Sequence, residues 1–127
     1  MTMMRTPLKN ARYLGSARDG TDHFWKQRVT ALANIFLGLF LVWLVASLAG
    51  AGYQTAKSAL HHPVIAIGLG ALVISGTIHM RLGMQTIIED YVHTEGTKIV
   101  LLVLNTFFAA GIALASLFAI LKLSFGA

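Results

Sequence analysis

The chain has 127 residues, of which 56% are hydrophobic and only 12% charged. An ordinary globular domain carries about 25% charged residues, and a small one has a large surface for its volume to cover with polar groups. The composition therefore excludes a conventional water-soluble domain and predicts a surface that faces lipid. There is no cysteine, which excludes disulfides, thiolate metal sites and a cysteine nucleophile.

The net charge of +5 is unevenly spread. Residues 1–28 hold Arg5, Lys9, Arg12, Arg18, Lys26 and Arg28 against Asp19 and Asp22, a net of +4. Residues 29–127 hold Lys57, Arg81, Lys98 and Lys122 against Glu89, Asp90 and Glu95, a net of +1. A basic block ahead of an apolar run is a topology signal, so no nucleic-acid surface is expected.

Residues 1–28 are read as a cytoplasmic N-terminal segment. The first apolar run, Val29 to Tyr53, contains no charge in 25 residues. A helix of that length is about 37 Å long at ~1.5 Å per residue, enough to cross ~30 Å of hydrocarbon with some tilt. The run is also too long for the 7–15-residue core of a cleaved signal peptide, so an uncleaved anchor is expected. Gln54 to His62 is a polar connection, and Pro63 suits the first turn of the next helix.

The second run starts at Pro63, passes His79 and Arg81, and ends near Glu89, Asp90 and Tyr91. Val92 to Lys98 links it to the third run, Ile99 to Leu121, which Lys122 closes. The expected fold is thus an all-α membrane protein, one domain over 1–127, with three transmembrane helices at about 29–53, 63–91 and 99–122. The basic residues put the N-terminus and the second link in the cytoplasm. Three helices in lipid have little hydrophobic drive to associate, so packing against a partner subunit is expected.

Nearly all the membrane-embedded polarity is read on the second helix. His79 lies about 24 Å along it from Pro63 and about 18 Å from Tyr91. An ionisable group at that depth is costly and marks a candidate site. At about 100° per residue, Gly68, Leu72, Ser75, Gly76, Gly83 and Asp90 fall within about 60° of His79. This furrow of small residues would let a flat group approach, and imidazole is a common axial ligand to haem iron. The alternative is a His hydrogen-bonded to a neighbouring helix, with the glycines serving packing. Arg81 points about 160° away and can snorkel toward the surface or pair with an anion. Tyr91 is either an interfacial anchor or a hydrogen-bond donor to a buried headgroup such as a quinone carbonyl. Arg28 stands at the mouth of the first helix after His23, Phe24 and Trp25, either as a positive-inside anchor or as the partner of a cofactor carboxylate. His61, His62, His93 and Glu95 show no metal-site spacing.

The segment His79-Met-Arg-Leu-Gly83 followed by Asp90-Tyr91-Val resembles the second helix of the hydrophobic membrane-anchor subunits of succinate dehydrogenase. Leu14-Gly15, Gly20, Phe24 and Gln27-Arg28-Val29-Thr30-Ala31 resemble that family's approach to its first helix, and the Asp-Tyr-Val-His ending resembles its alphaproteobacterial and mitochondrial branch. The resemblance implies that His79 is an axial ligand to a haem b, with the second ligand from a partner anchor subunit. It implies that Tyr91 hydrogen-bonds ubiquinone, with Asp90 as its acidic neighbour, and that Arg28 lies near the haem propionates. It also implies a flavoprotein subunit, an iron–sulfur subunit and a second anchor subunit as partners, a place in the bacterial cytoplasmic membrane, and no succinate-oxidising site on this chain. The rival expectation from composition is a non-redox membrane scaffold or small transporter subunit.

Overall fold

The computed structural model describes residues 7–8 and 19–126. Arg5, Lys9, Arg12, Leu14, Gly15 and Arg18, which carry part of the topology signal and of the family resemblance, lie outside the described residues. Among those described, helices are the only regular secondary structure. α1 spans Asp19–Leu48, α2 Tyr53–Leu60, α3 Pro63–Tyr91 and α4 Glu95–Phe125. α1, α3 and α4 are each long and apolar enough to cross a membrane.

α1 begins well before Val29: Asp19 to Arg28 contains no proline, and its one glycine, Gly20, falls in the first turn. Its last turn ends at Leu48, and the chain escapes through Gly50, whose φ of 78° lies in the left-handed region. Only a residue without Cβ adopts that conformation at no steric cost. The connection that follows is not irregular. Tyr53–Leu60 forms a short amphipathic helix with Lys57 in its last turn, and the His61 ring N–H (Nδ1) donates to the Ser124 carbonyl, 2.8 Å away, at the end of α4. Pro63 then opens α3 where its missing N–H costs nothing.

α3 is the central helix, packed against α1 on one side and α4 on the other. Among the described residues very little is buried: Leu44, Leu82, Ile88, Ala109 and one polar residue, Asn105. Large apolar side chains such as Phe36, Val42, Ile67, Phe107 and Phe118 point outward. In water such a surface would aggregate; in hydrocarbon it costs nothing and leaves helix packing to close backbone approach and hydrogen bonds. Gly68 is one such approach, since a Cβ there would lie 2.8 Å from the Phe40 ring of α1.

Candidate functional site

His79 is half-buried on the face of α3 that meets α1. Its Nδ1 lies 3.2 Å from the Thr30 hydroxyl of α1. Four residues earlier on the same face, Ser75 Oγ donates to the Thr30 carbonyl at 3.3 Å. One residue of α1 thus receives two side chains from α3. Among the described residues the His79 Nε2 has no hydrogen-bond partner.

The furrow expected along this face is mostly filled. Phe40 covers Gly68, the Thr30 carbonyl engages Ser75, and the Gln27 amide nitrogen stands 3.5 Å from where a Gly83 side chain would begin. Gly76 is the exception: a Cβ built there meets nothing within 4 Å. It lies three residues from His79, almost one turn away, so open space against the backbone adjoins the imidazole. A ring nitrogen without a partner beside a bare stretch of helix leaves room for a flat group to approach the imidazole. Among the described residues no three His, Asp or Glu side chains gather, so a purely protein-ligated metal ion has no equivalent site.

The expectation that one helix carries nearly all the embedded polarity is corrected by α1. His23, Gln27, Thr30 and Asn34 follow the i, i+4, i+7, i+11 spacing of a helix face. Three of their atoms, His23 Nε2, Gln27 Oε1 and Asn34 Oδ1, are buried without a hydrogen-bond partner among the described residues. The stripe is visible in the sequence as polar residues at helical spacing, but uncharged Thr and Asn weigh little against the surrounding apolar run.

Arg81 faces the other way, as its helical angle predicts, but it does more than snorkel. Its Nε donates to Thr106 Oγ1 of α4 at 3.2 Å, and its backbone carbonyl accepts from the buried Asn105 amide at 2.9 Å. The reason is that α4 lies against that face of α3. Between α1 and α3 runs a groove of about 640 Å³ lined by Asp22, Trp25, Lys26, Ile78, Arg81 and Gln85 among others. Arg28, His79, Asp90 and Tyr91 do not line it, although Thr30 does.

Arg28 sits on α1 only two residues from Thr30, about 3 Å along the axis, so it is near His79 in depth. It is exposed, and its guanidinium rests 5.3 Å from the centre of the Phe24 ring. Asp90 is exposed and Tyr91 is 79% exposed at the end of α3. The His93 ring N–H (Nδ1) donates to the Tyr91 carbonyl at 3.0 Å and pins the turn beyond it. The chain therefore holds His79 and Arg28 at one level and Tyr91 and Asp90 nearer the helix end, with Tyr91 turned outward.

Three long apolar helices with polar side chains converging between them define a multi-pass membrane protein. The family model for the succinate dehydrogenase/fumarate reductase transmembrane subunit matches residues 2–114. The chain is 30% identical over 122 residues to the succinate dehydrogenase hydrophobic membrane anchor subunit of Paracoccus denitrificans, covering 96% of this chain and 94% of that one. It is 32% identical over 88 residues to the corresponding subunit of Rickettsia bellii, 69% of this chain and 70% of that one. It is also 33% identical over 88 residues to the succinate dehydrogenase membrane anchor subunit of Reclinomonas americana, 65% and 72% of the two chains. The chain belongs to the succinate dehydrogenase/fumarate reductase transmembrane subunit family, among its membrane anchors.

Proposed function

We propose that this chain anchors a succinate:quinone oxidoreductase to the bacterial cytoplasmic membrane, contributes one axial ligand to a haem b and forms part of the ubiquinone-reduction site. Succinate oxidation belongs to the flavoprotein and iron–sulfur subunits held on the membrane, and a second anchor subunit completes the ligand set. The observation that carries the haem assignment is the His79 imidazole, held by Thr30 through one ring nitrogen with the other nitrogen free beside the open face at Gly76.

Each residue has a distinct task. His79 would offer the Nε2 lone pair to a haem iron, which supplies one-electron redox chemistry when bound. Arg28, at nearly the same depth, would neutralise a propionate. Tyr91 would donate its phenolic proton in a hydrogen bond to a quinone carbonyl, with Asp90 beside it to hold or pass a proton. With the basic N-terminal block inside, Tyr91 falls on the cytoplasmic side, where a soluble iron–sulfur subunit can reach it. The exposure of Tyr91 and of the outer helix faces suits a site completed by neighbouring subunits.

The test is purification of the tagged chain from its native membrane in mild detergent. The expected result is co-purification of a flavoprotein, an iron–sulfur protein and a second small membrane protein, with a b-type band in the reduced-minus-oxidised spectrum. Recovery without redox partners and without a Soret band would instead support a scaffold or transporter role.

A further inference from the structure

We propose that Thr30 is a positioning residue for His79: its hydroxyl oxygen accepts a hydrogen bond from Nδ1–H, fixes the imidazole tautomer and so leaves Nε2 as the ligating nitrogen. The inference rests on the haem reading above and deepens it.

Counting protons assigns donor and acceptor. A threonine hydroxyl has a single proton to donate and lone pairs to accept with. Thr30 Oγ1 lies 2.6 Å from the Lys26 carbonyl and 3.2 Å from that of Gln27, back along its own helix. A carbonyl can only accept, so the hydroxyl proton is committed to the α1 backbone. The remaining contact, 3.2 Å to His79 Nδ1, is then made only if the ring nitrogen carries the proton and donates. A neutral imidazole with hydrogen on Nδ1 has its lone pair on Nε2. The Ser75 hydroxyl does not compete for the threonine oxygen, because it donates to the Thr30 carbonyl instead.

Two consequences follow. The ring plane is set by a bond to another helix, so α1 orients a ligand that α3 supplies. The Nδ1–H···O bond also makes the imidazole a stronger electron donor, as outer partners of ligating histidines do. Stronger donation favours the ferric state and lowers the haem potential.

The experiment uses the intact purified complex carrying Thr30→Val, which keeps the shape and loses the hydroxyl, and Thr30→Ser, which keeps the hydroxyl. Haem content, the low-spin ferric EPR spectrum and a potentiometric titration are read for each. Thr30→Val is expected to shift the EPR g-values and raise the midpoint potential. At the native midpoint the ferrous-to-ferric ratio should rise about three- to tenfold, the worth of one hydrogen bond; tenfold corresponds to about 59 mV for one electron. Loss of haem from an assembled Thr30→Val complex, with haem retained in Thr30→Ser, would support the same role. Thr30→Ser should match the unsubstituted complex. An unchanged potential and EPR spectrum in Thr30→Val, or an equal shift in Thr30→Ser, overturns the proposal. His79→Ala separates the two levels: if it keeps its haem with native ligation, the ligand assignment fails, whereas an unaltered Thr30→Val beside a haem-free His79→Ala fails Thr30 alone.

Discussion

The two faces of α3 are built alike and finished differently. Each makes two hydrogen bonds to a neighbouring helix: His79 and Ser75 to Thr30 of α1, and Arg81 with its carbonyl to Thr106 and Asn105 of α4. On the α4 side the polar groups named are paired, and Asn105 is buried with its amide satisfied. The stripe on α1 carries three buried acceptor or ring atoms with no partner among the described residues, and Ser124 Oγ near the end of α4 is a fourth such atom. Of these, Asn34 lies within the apolar run, where an unsatisfied polar group costs several kcal/mol. The hydrogen bonds named between α3 and α4 are complete within those two helices. The α1 side leaves the larger share of such atoms, and on the proposed function a further group pairs there.

Substitutions on the two faces should therefore be read by different instruments. The largest effect is expected from His79→Ala, which should abolish the b-type absorbance of the purified complex while subunit recovery stays near normal. Retained absorbance would erase the distinction between the faces. Next, Tyr91→Phe should lower quinone reductase turnover about tenfold, the cost of one hydrogen bond at the strong end, and leave succinate oxidation by an artificial acceptor unchanged. Equal turnover with quinone would make Tyr91 an interfacial anchor only.

On the α4 face, Asn105→Leu should leave the haem spectrum intact and lower stability by about 1 kcal/mol, within the range for interhelical hydrogen bonds in membranes. Thermal unfolding in detergent measures it, and a lost spectrum would show that the faces are not independent. The smallest effect belongs to Lys26→Ala. It removes an exposed i, i+4 pair with Asp22, worth about 0.3–0.5 kcal/mol, and the same melting experiment should barely register it.

How much of this is legible in the sequence depends on what each feature is made of. The three spans are plain, because uninterrupted hydropathy over more than about 20 residues matches the thickness of a bilayer and little else. The opposed directions of His79 and Arg81 follow from about 100° per residue. What α4 offers to Arg81 does not follow, since pairing between helices is set by their packing and not by either sequence alone. The Tyr53–Leu60 helix hides inside a polar connection, because Lys57 and the following histidines mask a short amphipathic period. Thr30 stands out in the sequence only within the segment that resembles the succinate dehydrogenase anchors. Its partnership with His79, 49 positions away, requires α1 and α3 to be set at one relative height.

That height has a consequence of its own. Asn105 grips the carbonyl of Arg81, two residues from His79, while the bonds on the opposite face hold His79 and Ser75 to Thr30. A slide of α3 by a single residue would displace it about 1.5 Å and turn it through about 100°, breaking every one of these bonds at once. The register of the central helix is thus keyed from both sides. On the proposed haem assignment register is distance: α4, through its bond to the Arg81 carbonyl, would help to fix how far an electron must tunnel to reach the iron.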